Sequence, residues 1–565
     1  MLTTDKAVCR ELAALLVCHG VKDVVLSPGS RNAPLILAVA RSGQLRRRVV
    51  VDERCAAFVA LGMAVQSQRP VALVCTSGTA MLNYAPAVAE AFYREVPLIV
   101  ITADRPQEWI DQDDSQTIRQ YGALDNIVKE SYNIPVETGD ATQMWMVNRL
   151  VSDALLKASS GRKGPVHINV QLDVPLTTLA EAAPQQPRTI STVERPTVLP
   201  TAQARELGRL LAPPCKVLVV AGFHTPDSKL SRAMARLAAI PNVAVLCEAQ
   251  ANLHGPGLHS NIDRILNEMT DAERTDLLPD IVITLGGSLV SRFIKAWLRG
   301  RHGVHHWHVG ERGASVDCFK CLSLRIELPA ASFMPQLASA MQPFAGSAST
   351  YGESWRQLAG RARKRYHKFT ARAPWCDLKA MDMLVEAIPA RANLQAGNGT
   401  AVRYIQLCDN GHIHRTDCNR GVSGIDGCTS TAIGASMAYG DLTVLVSGDM
   451  SAQYDMGALA ISGIPPTFRL AVLDNGGGGI FRFIKSTATL DELDECFAAD
   501  VRLPLRQLAE GFGFRYLRAD GIESMKAALP AFFGHSDRPV ILDIVTDGSL
   551  SAAELNRYFD EANSK

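Results

Sequence analysis

The sequence predicts an α/β protein built from parallel sheets flanked by helices and organised in three blocks. Short apolar runs alternate with longer stretches of helical period along the chain, the pattern of strands joined by covering helices. Two stretches rich in proline and small polar residues, Pro184 to Pro200 and Gln342 to Glu353, read as linkers and leave blocks at 1–183, 198–342 and 355–565. The two outer blocks also repeat each other in order and spacing.

In the first block a strand runs into SPGSRN (27–32), followed by VVDERCAAFVALGMA (50–64), VALVCTSGTA (71–80) and LIVITADRP (98–106). The third block offers LQAGNGT (394–400), NRGVSGIDGCTSTAIGA (419–435), TVLVSGDMSA (443–452) and RLAVLDNGG (469–477). Gly29 lies 49 positions before Gly78, and Gly397 lies 51 before Gly448; Gly78 to Asp104 and Gly448 to Asp474 are both 26. This matching suggests two similar domains in one chain, although doubly wound domains in general share part of the pattern. Ligands bind such sheets at the carboxyl ends of strands, where helix N-termini and free N–H groups converge. Both copies place glycine-rich turns there, but the first offers Arg31, Glu53 and Arg105 and the third Asp449 and Asn475.

The bulk numbers narrow the partners. A chain of 565 residues exceeds a single core. With 58 basic against 57 acidic residues, net charge +1, there is no electrostatic case for nucleic acid or a membrane surface. Small acidic substrates need only a local basic pocket. The N-terminus lacks a signal pattern, and no apolar run approaches the roughly 18 residues of a membrane span. Thirteen cysteines without framework spacing read as reduced thiols of a cytoplasmic protein. Cys318 and Cys321 form a lone CxxC, and the histidines of RHGVHHWHVG (301–310) read as strand and loop residues rather than a metal site.

The strand Leu442–Val446 ends in Ser447-Gly448-Asp449, and DNGGGGIF (474–481) follows the next strand. Neighbouring parallel strands would set Asp449 and Asn475 side by side. One carboxylate, one amide oxygen and a carbonyl from the Gly476–Gly477 region make three hard oxygen ligands, leaving positions for water or phosphate, as Mg²⁺ favours. The glycine N–H groups and those of Ser451 and Ala452 could hold phosphates directly. The same pattern also permits a plain helix cap at Asp449 and a glycine turn.

Gly448-Asp449 with Asn475 after 25 intervening residues resembles the signature of thiamine-diphosphate-dependent enzymes. The resemblance implies a three-domain thiamine-diphosphate-enzyme architecture: a pyrimidine-binding domain (1–183), a middle domain (198–342) and a diphosphate-binding domain (355–565). It implies Mg²⁺ or Mn²⁺ on Asp449, Asn475 and the Gly477 carbonyl. Thiamine diphosphate would lie against Ser30, Gly397, Gly448, Ser451, Ala452, Ile480 and Phe481, bent over Ile425. Glu53, just past a strand, would meet the cofactor's N1′ across a subunit interface; a carboxyl in an apolar wall has a raised pKa and can share that proton. The signature usually has asparagine where this chain has Asp474.

Finer motifs resemble one branch of that family, the synthases that join 2-oxoglutarate to isochorismate in menaquinone biosynthesis. They are SPGSRNAPL (27–35), DERCAAFVALGMA (52–64), TSGTA (76–80), TADRP (102–106), SQTIRQ (115–120), NRGVSGIDG (419–427) and GGIF (478–481). The implied reaction decarboxylates 2-oxoglutarate and adds the succinyl carbanion to isochorismate. Both substrates are dianions, and arginine binds carboxylates bidentately. Arg31 and Arg420 are the candidates for the oxoglutarate-derived carboxylate; Arg105, Gln116, Arg292 and Arg403 are those for isochorismate; Asn398 would face the reacting carbons. Gly399, Ser115 and Arg292 with Phe293 depart from the residues common in the branch. The expected assembly is a homodimer or homotetramer. The alternative reading is another thiamine-diphosphate-dependent 2-oxoacid decarboxylase or carboligase, whose small apolar substrates would not call for five arginines. A cofactor-sensing protein with a decayed site would be expected to have lost Glu53, Asp449 or Asn475.

Overall fold

Three six-stranded sheets carry the structure, a computed structural model that describes residues 2–193, 197–311, 313, 315–499 and 503–563. Across the first sheet the strands run Arg46–Val49, Asp23–Leu26, Val71–Cys75, Leu98–Asp104, Val166–Gln171 and Ser131–Ile134, every neighbour parallel. Numbered within the sheet, that order is 2-1-3-4-6-5. The third sheet has the same order, with Arg415–Cys418, Asn393–Ala396, Thr443–Gly448, Phe468–Asp474, Val540–Val545 and Arg515–Ala519. The repeat seen in the glycine spacing is therefore a repeat of topology.

The middle sheet differs. Its order is Leu258–His259, Val243–Cys247, Val217–Ala221, Ile281–Leu285, His305–Val309 and Leu322–Ile326, all parallel. This is 3-2-1-4-5-6, the order of dinucleotide-binding folds. Side-chain alternation in these strands fills two cores at once. Val217, Val219 and Ala221 enter one face with Leu237 and Phe333. Leu218 and Val220 enter the other with Ile294 and Trp355.

The second linker-like stretch turns helical before it ends. The helix Tyr351–Thr370 begins inside it and buries Tyr351, Trp355, Leu358 and Ala362 in the core beside the middle sheet. Apolar residues recurring at helical spacing outweigh the glycine and serines that precede them.

The chain forms two compact units, residues 1–194 with 421–443 and 451–468, and residues 195–420 with 444–450 and 469–565. In the first, the helices Glu53–Ser67 and Cys428–Ala438 are buried along almost their whole length. They follow the second strand of the first and third sheets, so they are the same element in the two copies. Each is apolar or small-residued all round, as a fully buried helix must be. They cross at glycines: a Cβ on Gly62 would lie 1.9 Å from the Thr431 carbonyl oxygen, and one on Gly434 2.0 Å from that of Val59.

Candidate functional site

The third sheet reverses direction of growth between Asn393–Ala396 and Thr443–Gly448, which opens a crevice at their carboxyl ends. Gly397 closes the first strand, its N–H donating to the Val446 carbonyl over 2.7 Å; a Cβ there would lie 2.9 Å from that oxygen. Gly448 and Asp449 close the second strand. Asp449 is 2 % exposed. Its Oδ2 accepts from the N–H groups of Gly477 (2.8 Å) and Asn475 (3.1 Å), and its Oδ1 from Met450 N–H (2.7 Å). Burial pushes this carboxyl up, and those N–H groups pull it back toward the ionised form.

Asn475 follows the neighbouring strand Phe468–Asp474, as the spacing predicts. Its Nδ2 donates to Asp377 Oδ2 over 2.7 Å, while its Oδ1 is buried without a hydrogen-bond partner among the described residues. Such an orphaned oxygen is costly unless a cation or donor meets it. Gly476 and Gly477 adopt φ of 85° and 101°, which lets the backbone turn back on Asp449. Asp449, Asn475 and Gly477 thus converge, and the capping reading and the ligand reading share one geometry. A buried carboxylate and an unpartnered amide oxygen on neighbouring strand ends are hard oxygen donors of the kind Mg²⁺ takes. Among the described residues no group of three or more His, Cys, Asp or Glu side chains could hold a metal.

No local sequence pattern marks Asp377. It is 1 % exposed, accepts from Thr546 Oγ1 (2.5 Å) with its other oxygen, and starts the helix Asp377–Ala387. Asp474, the departure from the signature, is pushed up to about 6 by burial and by Asp543. Ile480 and Phe481 sit on the short helix Gly479–Phe483, with the Phe481 ring 5.6 Å from that of Phe497.

A second cluster in the same unit gathers arginines. Asn398 Nδ2 donates to the Asn419 carbonyl (2.6 Å) and its Oδ1 accepts from Arg420 Nη1 (3.1 Å). Gly399 has φ of 94°. Arg403 lies on the helix Ala401–Leu407. Burial first, then Arg292 and Arg420, lower its pKa to about 10, against the pull of Asp263 and Glu248. The cluster thus sets three guanidinium groups against two carboxylates, Asp263 and Glu248. Arg292 is likewise helical, the first residue of Arg292–Leu298. That helix start is held from below: Glu248 Oε1 accepts from Val290 N–H (2.7 Å) and Ser291 N–H (2.8 Å), and Asp263 accepts from Ser291 Oγ. Burial raises Glu248 to about 7. Neither acid was singled out from sequence, because their partners lie 42 and 28 positions away.

In the other unit, Asp52 caps the helix through Cys55 N–H (3.2 Å), which makes Glu53 its first residue. Glu53 is half-buried, and burial raises its pKa. Arg31, 6 % exposed, donates to the Leu172 carbonyl (2.9 Å). Burial, then Arg105, lowers its pKa, so the two guanidinium groups are neighbours. Arg105 is engaged, pairing with Asp114 (2.6 Å) and donating to the Ser115 carbonyl. Gln116 is exposed on a left-handed turn of φ 54°, its backbone against Gly78. Ser30 is exposed at the same strand end. Ser451 Oγ donates to the Ile425 carbonyl (2.6 Å), and Ala452 is buried. Glu90, also unforeseen, accepts from both Gly421 and Val422 N–H at 2.7 Å, pinning the loop that carries Ile425.

The remaining motifs are structural. His306 and His308 share the Thr284 hydroxyl at 2.7 and 3.0 Å, and burial lowers His306 to about 4. Cys318 and Cys321 are free thiols raised by burial.

Residues 7–123 match the model of the thiamine pyrophosphate enzyme N-terminal TPP binding domain. A 2-succinyl-5-enolpyruvyl-6-hydroxy-3-cyclohexene-1-carboxylate synthase of Porphyromonas gingivalis is 39 % identical over 562 residues, 98 % of this chain and 97 % of that protein. The synthases of Flavobacterium johnsoniae (34 %, 99 % of this chain and 100 % of that protein) and Desulfotalea psychrophila (35 %, 95 % and 98 %) are similar over the same extent. The chain therefore belongs to the thiamine-diphosphate-dependent enzymes, in the family of 2-succinyl-5-enolpyruvyl-6-hydroxy-3-cyclohexene-1-carboxylate synthases.

Proposed function

We propose that this protein is a thiamine-diphosphate-dependent transferase of menaquinone biosynthesis. It removes CO₂ from 2-oxoglutarate and joins the remaining four carbons to isochorismate, giving 2-succinyl-5-enolpyruvyl-6-hydroxy-3-cyclohexene-1-carboxylate. The observation that carries the reading is the buried, unpartnered Asn475 Oδ1 beside the Asp449 carboxylate, a fit for the cation that anchors a diphosphate. Thiamine diphosphate, when bound, supplies the nucleophilic carbon and the electron sink for decarboxylation.

The chain's own groups do the rest. Asp449, Asn475 and the Gly477 carbonyl hold Mg²⁺ or Mn²⁺, and Gly397, Gly448, Ser451, Ala452, Ile480 and Phe481 surround the diphosphate end. Ser30 and Ile425 contact the cofactor, Ile425 from a loop fixed by Glu90. Glu53, whose pKa is raised by burial, would share a proton with the cofactor's N1′. Arg31 and Arg420 hold the carboxylate left from 2-oxoglutarate, with Asn398 placed by Arg420 and the Asn419 carbonyl. Arg105, Gln116, Arg292 and Arg403 hold isochorismate, Arg105 exchanging Asp114 for a substrate carboxylate.

The three sheets correspond in this reading to the pyrimidine-binding (1–183), middle (198–342) and diphosphate-binding (355–565) domains. A homodimer or homotetramer completes the site. Exposed Val49, Val51, Leu82, Tyr454 and Met456, all in the unit that holds Glu53, support subunit association. No helix among the described residues is long and apolar enough to cross a membrane, and the enzyme is proposed to act in the cytoplasm.

The test is CO₂ release by the purified protein with thiamine diphosphate, Mg²⁺ and 2-oxoglutarate, with and without isochorismate. Isochorismate consumed in step with CO₂ is expected. Equal CO₂ release without it would overturn the synthase reading in favour of a decarboxylase using another acceptor.

A further inference from the structure

The helix Tyr351–Thr370 shows one face to the core and the other to a groove it forms with the C-terminal helix Gly548–Asn563. The groove is a cavity of about 470 Å³, within the size range of small-molecule sites. Arg361, Lys364, Arg365, Lys368, Arg372 and Arg557 line it, against two carboxylates, Glu268 and Glu561. In a chain of net charge +1 this is a local concentration of one sign.

Those two carboxylates are already matched. Glu268 pairs with Arg365 (2.7 Å), and Glu561 with Arg557 (3.3 Å), which also meets Glu554 (2.5 Å). Arg361 pairs with Glu273 (2.7 Å). Lys364, Lys368 and Arg372 have no ion-pair partner among the described residues, and all three are exposed. Lys364 and Lys368 recur at one helical face, about 6 Å apart along the axis, and Arg372 follows just past the helix end at Thr370. Phe369, under the Arg557 guanidinium at 4.6 Å, gives the groove an apolar floor. A phosphate group carries about −1.5 to −2 charge and several acceptor oxygens, so two phosphates answer three free cations and the edges of their paired neighbours.

We propose that the groove between helices Tyr351–Thr370 and Gly548–Asn563 is a binding site for a small polyanion carrying two or more phosphate groups. It is separate from the residues proposed for cofactor and substrates. A concave, two-walled site favours a compact ligand over a flat anionic surface.

Inorganic tripolyphosphate is the probe, titrated calorimetrically into holoenzyme saturated with thiamine diphosphate at constant free Mg²⁺. One saturable site per chain is expected, weakened by added salt. Binding should fall at least tenfold in K364E/K368E and in the milder K364Q/K368Q, and stay unchanged in K229E, on the helix Ser228–Ala238 and not among the residues lining the groove. No saturable site, or equal binding by the double variants, overturns the proposal. So does a smaller oligomer for the double variants, which would make the groove a subunit contact. Lysine-dependent sedimentation with phosphatidylglycerol vesicles in the absence of tripolyphosphate binding overturns it in favour of a membrane surface.

Discussion

Asp377 and Asn475 stand 98 positions apart, yet Asn475 Nδ2 donates to Asp377 Oδ2 over 2.7 Å, and this bond fixes which atom of the amide is left for a ligand. Asp377 is itself held by Thr546 Oγ1, and its N–H donates to Ser551 Oγ, so the amide is oriented from a buried, rigid side. Outer partners of metal ligands are worth about 10–100-fold in metal affinity. Asp377→Ala is expected to weaken Mg²⁺-dependent cofactor binding by that factor, with Asp377→Asn intermediate and high Mg²⁺ restoring turnover. Mg²⁺ titration followed by protein fluorescence measures it; unchanged Mg²⁺ dependence in the alanine variant would refute the positioning role.

Glu53 begins its helix because Asp52 caps it, and burial keeps its carboxyl protonated to higher pH than usual. Glu53→Gln should cut CO₂ release by about 10²- to 10⁴-fold, the span of a lost proton-transfer group, while the dissociation constant for thiamine diphosphate stays within a few-fold. Full turnover in this variant would remove Glu53 from the chemistry.

Glu248 gives a pH signature in stability. Its ordinary value of 4.5 rises to about 7 in the fold through burial. Between those two values the folded chain binds more protons than the unfolded chain, so stability falls as pH rises through this window. Glu248 contributes roughly 3 kcal/mol to that fall. Glu248→Gln retains an acceptor for Val290 and Ser291 N–H and should flatten the loss between pH 4.5 and 7, as chemical denaturation at each pH would report. Parallel curves for both proteins would contradict the assignment.

Gly62 allows the helices Glu53–Ser67 and Cys428–Ala438 to touch. Because an added Cβ would meet the Thr431 carbonyl at 1.9 Å, Gly62→Ala must part the helices and should destabilise on the order of 1–3 kcal/mol. Gly360, inside the helix Tyr351–Thr370 with open space around it, should respond oppositely, Gly360→Ala stabilising by about 0.5–1 kcal/mol. Thermal unfolding of the two variants side by side would show opposite shifts of the midpoint.

Much of this protein is readable along the chain. Strands that are buried on both faces must be apolar throughout, and the turns at their ends must be glycine-rich to let backbone approach a ligand. The likeness of the two outer sheets and the meeting of Asp449 with Asn475 follow from such local signals, because neighbouring parallel strands bring their ends together, whereas the strand order 2-1-3-4-6-5 does not. The helical placing of Arg403 and Arg292 is less legible, since a cation at a helix start and one in a loop look alike in sequence.

What only the tertiary structure decided are the partners of those residues. Asp377 behind Asn475, Glu248 and Asp263 under Arg292, Glu90 beneath the Ile425 loop and the basic groove lined by Lys364 and Lys368 all join segments distant in sequence. A buried carboxylate is chosen for the donors around it, and those donors come from other elements, so its role is set by packing rather than by its neighbours in the chain.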